Sequence, residues 1–201
     1  MQESLQHDVG RSLRMRRARL GCCVLLLACL FRIAAAQPKP ALTPDDVEAA
    51  YLYNFGKFVQ WPPEAAASSR PFSICILGHD DFGGKLDGLI AGETIQGRRI
   101  VARRLPSVAT ADSCQIVFIG ESEEAHLVKD LDALARKPVL TVSSLPVFLN
   151  RGGMIQFVLE NNRVRFAVNL PAAQETGLSL SSELLKVAVY VRTGPKQEGK
   201  P

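Results

Sequence analysis

The chain has 201 residues, 47% hydrophobic, 22% charged and 6% aromatic, which excludes a disordered, collagen-like or low-complexity polymer. Its formal charge of +4 is carried by the first 36 residues, where six arginines face only Glu3 and Asp8, and the remainder of the chain is balanced. A balanced domain has no global field to attract nucleic acid or an anionic membrane, so neither is an expected partner.

Arg14, Arg16, Arg17 and Arg19 precede an uncharged apolar run over 20–30, and Ala34-Ala35-Ala36 follows with Gln37-Pro38 behind it. That order predicts a secretory signal peptide over 1–36, cleaved after Ala36 and directing the chain to the periplasm. The run falls short of the roughly 20 apolar residues a membrane span requires. The alternative is lipoprotein processing at Leu26-Leu27-Ala28-Cys29, with Cys29 lipidated. Both readings export the protein and leave one domain over 37–192, followed by a polar tail over 193–201 that is expected to be disordered.

Thr43-Pro44-Asp45-Asp46 reads as a helix start: a hydroxyl cap, proline in the first turn and acids at the positive end of the dipole. Val47, Ala50, Tyr51, Asn54, Phe55 and Phe58 follow at helical spacing, and Trp61-Pro62-Pro63 ends the element. The aromatics Tyr51, Tyr53, Phe55, Phe58 and Trp61 have two readings. One is core packing; the other is a partner-binding surface. Residues 72–77 form a nearly continuous apolar run, which predicts a strand buried on both faces. A turn over 78–84, a helix from Lys85 to Ile90 and a strand over 98–105 come next.

Residues 107–113 read as a short helix or loop, and 115–119 repeats the buried-strand pattern. A helix is expected from Ser122, with Leu127, Val128, Leu131, Leu134 and Ala135 on its inner face. A strand over 139–142 follows Pro138. Runs at 154–159 and 164–169 flank Asn161-Asn162 and predict a β-hairpin. A short helix over 171–176 and a last helix over 182–192, capped by Ser181, complete the domain. Strand–helix alternation followed by a hairpin predicts a single three-layer α/β domain, a mixed sheet with helices on both faces.

Only Cys75 and Cys114 remain after cleavage, and an even pair in an exported chain predicts a disulfide. Closing a loop of about 40 residues is worth on the order of 4 kcal/mol in the chain-entropy description. The alternative is two buried thiols. No metal site is expected, because the two cysteines share no ligand spacing with His79 and His126. No cofactor is implied either. The turn at Gly78, His79, Asp80 and Gly83 has a phosphate-loop flavour, but Lys85 stands one place late and no hydroxyl follows it. It is a tight turn first and a small-ligand site as the alternative. No nucleophile elbow or base–orienter set occurs, so catalysis is not expected.

The aromatic segment Tyr51-Leu52-Tyr53-Asn54-Phe55-Gly56-Lys57-Phe58-Val59-Gln60-Trp61-Pro62 resembles the YfiR family of periplasmic proteins. The likeness continues in order through Ile74-Cys75-Ile76-Leu77-Gly78, Phe82-Gly83, Pro138-Val139-Leu140-Thr141-Val142-Ser143, Gly152-Gly153-Met154-Ile155, Arg163-Val164-Arg165-Phe166-Ala167-Val168-Asn169-Leu170 and Gly177-Leu178-Ser179-Leu180. The resemblance implies a three-layer fold, homodimers, redox-sensitive disulfides and regulation without catalysis. Its namesake binds the periplasmic sensor region of a membrane diguanylate cyclase and holds that enzyme inactive. A partner of that kind, or a sensor kinase, is therefore expected. Cys75 and Cys114 match one family cysteine pair, and a second pair after the 139–142 strand is absent.

Overall fold

The computed structural model describes residues 42–66 and 69–194. The expected signal segment over 1–36 and the tail from 195 lie outside the described residues. Helix α1 (Pro44–Phe58) begins as its sequence requires: Thr43 and Asp46 form a reciprocal capping box, and Pro44 occupies the first turn. Lys85 fastens this end by bonding Thr43 at 2.8 Å and Asp45 at 3.1 Å. The helix buries Ala49, Leu52, Phe55 and Gly56. A side chain at Gly56 would collide with Ile95, so glycine there permits the close approach of α1 to the sheet.

The main sheet has eight strands, numbered along the chain, in the order β10 (Tyr190–Arg192), β8 (Arg163–Asn169), β7 (Ile155–Glu160), β6 (Leu140–Ser143), β5 (Ile116–Ile119), β2 (Phe72–Leu77), β4 (Arg98–Leu105) and β3 (Thr94–Ile95). Its centre is parallel: β4 (Arg98–Leu105), β2 (Phe72–Leu77), β5 (Ile116–Ile119) and β6 (Leu140–Ser143). On one side β3 (Thr94–Ile95) adds an antiparallel edge. On the other, β7 (Ile155–Glu160) runs parallel to β6 and antiparallel to β8 (Arg163–Asn169). Asn161 and Asn162 both take positive φ, the geometry a two-residue hairpin turn demands and one that asparagine tolerates.

Alternation along the parallel strands divides the core in two. Phe72, Ile74 and Ile76 of β2 join Phe118, Val142, Phe157 and Phe166 under α1 and α3 (Gly84–Ile90). Cys75 and Leu77 point the other way, to Val117 and Ile119 under Leu127, Leu131 and Leu134 of α4 (Leu127–Leu134). Helices thus cover both faces of a mixed sheet, the expected single-domain α/β architecture.

Cys75 and Cys114 form a disulfide with Cα atoms 6.0 Å apart, within the range that needs no backbone movement. Cys114 stands just ahead of β5, beside β2. Gln115 reinforces the junction, since its side chain accepts from the Ser73 N–H at 2.8 Å and its own N–H donates to the Ser73 carbonyl at 3.0 Å.

Several elements differ from their sequence reading. The segment expected as one helix over 182–192 is α6 (Ser182–Val187) followed by strand β10 (Tyr190–Arg192), parallel to β8. Valines at 187, 189 and 191 suit either state, and the open edge of β8 decides, with Val189 N–H donating to Phe166 at 2.9 Å. The helix expected from Ser122 opens with a 3-10 stretch (Glu121–His126), and Ser122 instead accepts the His79 N–H at 2.8 Å. On α4 the buried face is Leu127, Asp130, Leu131 and Leu134, while Val128 and Ala135 are exposed. After α1 the chain forms strand β1 (Val59–Gln60), paired with β9 (Ser179–Leu180) in a separate two-stranded sheet that no period announces.

Candidate functional site

Helical spacing puts Tyr51, Phe55 and Phe58 on one face of α1, and there they meet α6. Between the two helices lies a groove of about 330 Å³ lined also by Asn54, Phe166, Leu184 and Val187. Its floor is a packed aromatic cluster: the rings of Tyr51, Phe55, Phe157 and Phe166 contact one another at centroid distances of 5.1–5.9 Å. Its rim is open, with Phe58 41% and Val187 54% exposed, and Val189 and Tyr190, which follow α6 in the chain, are exposed as well. The other two candidate aromatics lie elsewhere. Tyr53 projects from another side of α1, where its hydroxyl donates to Glu93 and Lys57 lies over its ring. Trp61, beyond the helix, is buried edge-on against Phe72.

The turn after β2 forms the second candidate area. The order β4-β2-β5 makes the sheet reverse its winding between β2 and β5, the place where open α/β sheets bind ligands. Gly78 takes φ +88°, and a side chain there would strike Ser122 and Glu123. Asp80 accepts from the N–H groups of Phe82 (3.0 Å) and Gly83 (3.1 Å) and pairs with Arg104, which also donates to the Gly83 carbonyl and to Asp87. Those hydrogen bonds hold the Arg104 guanidinium more firmly charged and pull the Asp87 carboxyl below its ordinary range. Phe82 pins the turn to the core against Phe118. His79 is exposed beside Asp81. The polar groups of Asp80 and the adjoining amides are therefore engaged within the protein.

Across these strand ends lies Glu48 of α1, which sequence reasoning did not single out. Burial pushes its carboxyl up to about 7, helped by the negative charges of Asp45, Asp81 and Glu121 and opposed by the Ser144 hydroxyl, 3.1 Å from both of its oxygens. Among the described residues no group of three or more His, Cys, Asp or Glu side chains is placed to hold a metal.

A family model described as YfiR/HmsC-like matches residues 45–189, most of the chain. The protein belongs to the YfiR/HmsC-like family. That family is a periplasmic, regulatory one. Similar solved structures include a conserved domain protein from Vibrio cholerae O1 biovar eltor (10% identity, TM-score 0.49, covering 75% of this chain and 61% of that one). Another is the ABC domain in complex with L-Trp from Streptococcus pneumoniae (12% identity, TM-score 0.45, covering 74% of this chain and 60% of that one). The chain spans about three fifths of the length of each.

In this YfiR/HmsC-like chain the groove draws on both ends of the matched region, with α1 opening it and α6 near its close. The aromatic positions on α1 were legible from their spacing. Phe166, Leu184 and Val187 were not, because only the folded sheet brings residues more than a hundred positions away beside α1.

Proposed function

We propose that the protein is an exported, non-enzymatic regulator that binds the periplasmic sensor region of a membrane diguanylate cyclase and holds that enzyme inactive. The observation that carries this reading is the family match over residues 45–189. The groove between α1 and α6 is the proposed docking surface, since its exposed apolar rim over a preformed aromatic floor is the kind of feature that concentrates binding energy. The balanced charge of the domain makes recognition depend on shape and apolar contact, with only modest sensitivity to salt.

Phe58→Ala is the direct test. The side chain is 41% exposed and lies outside the buried core, so folding is retained, while loss of an anchor weakens capture of the cyclase by about thirtyfold or more. Cellular cyclic-di-GMP rises accordingly. Unchanged affinity and unchanged cyclic-di-GMP with both Phe58→Ala and Val187→Asp would place the docking surface elsewhere. If deleting the gene itself leaves cyclic-di-GMP unchanged, the cyclase reading fails, and a sensor kinase or small-ligand role takes its place.

The reading includes export by the segment 1–36, cleavage after Ala36 and a homodimer of the mature chain. Recovery from the periplasmic fraction checks export, intact mass the cleavage point and sedimentation the dimer. The expected species starts at Gln37 and sediments as a dimer; a lipidated chain starting at Cys29, or a monomer, refutes the corresponding part.

A further inference from the structure

At one end of the main sheet β3 pairs with β4 only at Thr94↔Arg99 and Ile95↔Arg98, although β4 runs on to Leu105. The Ile100 N–H extends that ladder by one bond, donating to the Glu93 carbonyl at 3.2 Å. Backbone groups alternate in direction along a strand, so the N–H and C=O of Ala102 and Arg104 face outward as those of Ile100 do. Val101, Arg103 and Leu105 turn theirs toward β2. No group among the described residues bonds the outward backbone of Ala102 or Arg104. An open edge of this kind is a template for one more strand.

The side chains of β4 decide what that strand carries. Ile100 and Ala102 face the core under α1 and α3, while Arg99, Val101 and Arg103 line the opposite face at alternate positions. Arg99 is exposed, and Arg103 donates to the Ser113 hydroxyl. Neither meets a carboxylate among the described residues, whereas Arg104, on the core-side face, is paired with Asp80 and Asp87. A second copy is the wrong occupant. Antiparallel self-pairing about Ala102 would gather Arg99 and Arg103 of both strands on one face with no carboxylate between them. We propose that the outer edge of β4 takes an extended acidic segment of a partner protein, added as one more strand, its carboxylates against Arg99 and Arg103 and an apolar side chain over Val101. β4 stands at the far end of the sheet from β8 and β10, so this edge is separate from the α1–α6 groove and does not depend on the cyclase reading.

Fluorescence anisotropy of two labelled peptides titrated with the purified protein tests this: Glu-Thr-Val-Thr-Glu, which sets its acids at the spacing of the two arginines, and Lys-Thr-Val-Thr-Lys, its charge-reversed counterpart. The acidic peptide is expected to bind saturably, and less tightly as salt rises, and the lysine peptide not to bind. Amide hydrogen exchange at Ala102 and Arg104 should slow when the acidic peptide is bound. Ala102→Pro removes one outward N–H and leaves the ladder to β2 in place, as proline on an edge strand can, so it should weaken the acidic peptide by at least about tenfold. Arg99→Glu combined with Arg103→Glu should transfer the preference to the lysine peptide, and covers the case of a poorly folded proline variant. Absence of acidic-peptide binding to the unaltered protein, equal binding of the two peptides, unslowed exchange at Ala102 and Arg104, or undiminished affinity in a folded Ala102→Pro protein overturns the proposal.

Discussion

Replacing Cys75 and Cys114 together by alanine is expected to destabilise the protein by about 4 kcal/mol, because the bond closes a loop with a sequence separation of 39. For a domain of this size that corresponds to a fall in melting temperature of roughly 10 °C. The cysteines are 0% and 2% exposed, and each packs in the core cluster between the sheet and α4. Their loss therefore frees the unfolded chain while leaving the native contacts of that cluster largely in place. The Gln115–Ser73 clip still holds the start of β5 against β2, so the variant folds. Thermal unfolding under non-reducing conditions reads the difference. A melting point within about 2 °C of the parent would show that the bond adds nothing to stability. Because the sulfurs are buried, reductant alone is expected to open the bond slowly, and mild denaturant to accelerate the reaction.

The second large effect is a pH dependence centred on Glu48. Its carboxyl titrates at about 7 in the folded protein against an ordinary 4.5, so the folded state holds the proton more tightly than the unfolded chain does. The stability this contributes is fully present below the unfolded value and is lost as pH rises through about 7. Above that, the ionised carboxylate is a liability of at most about 3 kcal/mol. Asp46 and Asp87 act in the opposite sense: their carboxyls lie below the ordinary range, and their contributions are lost only in stronger acid. Urea unfolding near pH 5 and near pH 8 should therefore find the parent more stable at the lower pH. Glu48→Gln preserves an acceptor for Ser144 and should flatten that difference, chiefly by stabilising the protein at the higher pH. Equal stability of the parent at the two pH values would mean that Glu48 is solvated and ionises normally.

Much of this molecule was legible residue by residue. Thr43-Pro44-Asp45-Asp46 set the start of α1, because capping and dipole effects act within one turn. The apolar runs at 72–77 and 116–119 are central strands, since only burial on both faces tolerates an unbroken row of large apolar residues. Asn161-Asn162 placed the hairpin turn, and cysteine arithmetic in a chain expected to be exported named the Cys75–Cys114 pair.

What sequence did not decide has a common cause. Strands β1, β9 and β10 are two or three residues long, too short for any period, and exist because another strand supplies the hydrogen bonds. In α4, apolar residues at 127, 128, 131, 134 and 135 fit more than one face; packing against the sheet chose the face that buries Asp130 and exposes Val128. Glu48 looks like any helix-surface acid until Asp81, Glu121 and Ser144, from three different strand ends, gather around it. The α1–α6 groove likewise needs the first and last helices side by side. Local chemistry acts over a few residues and could be read along the chain. The groove, the titrating carboxyl and the buried aspartate depend on neighbours distant in sequence, and only the tertiary structure brings those together.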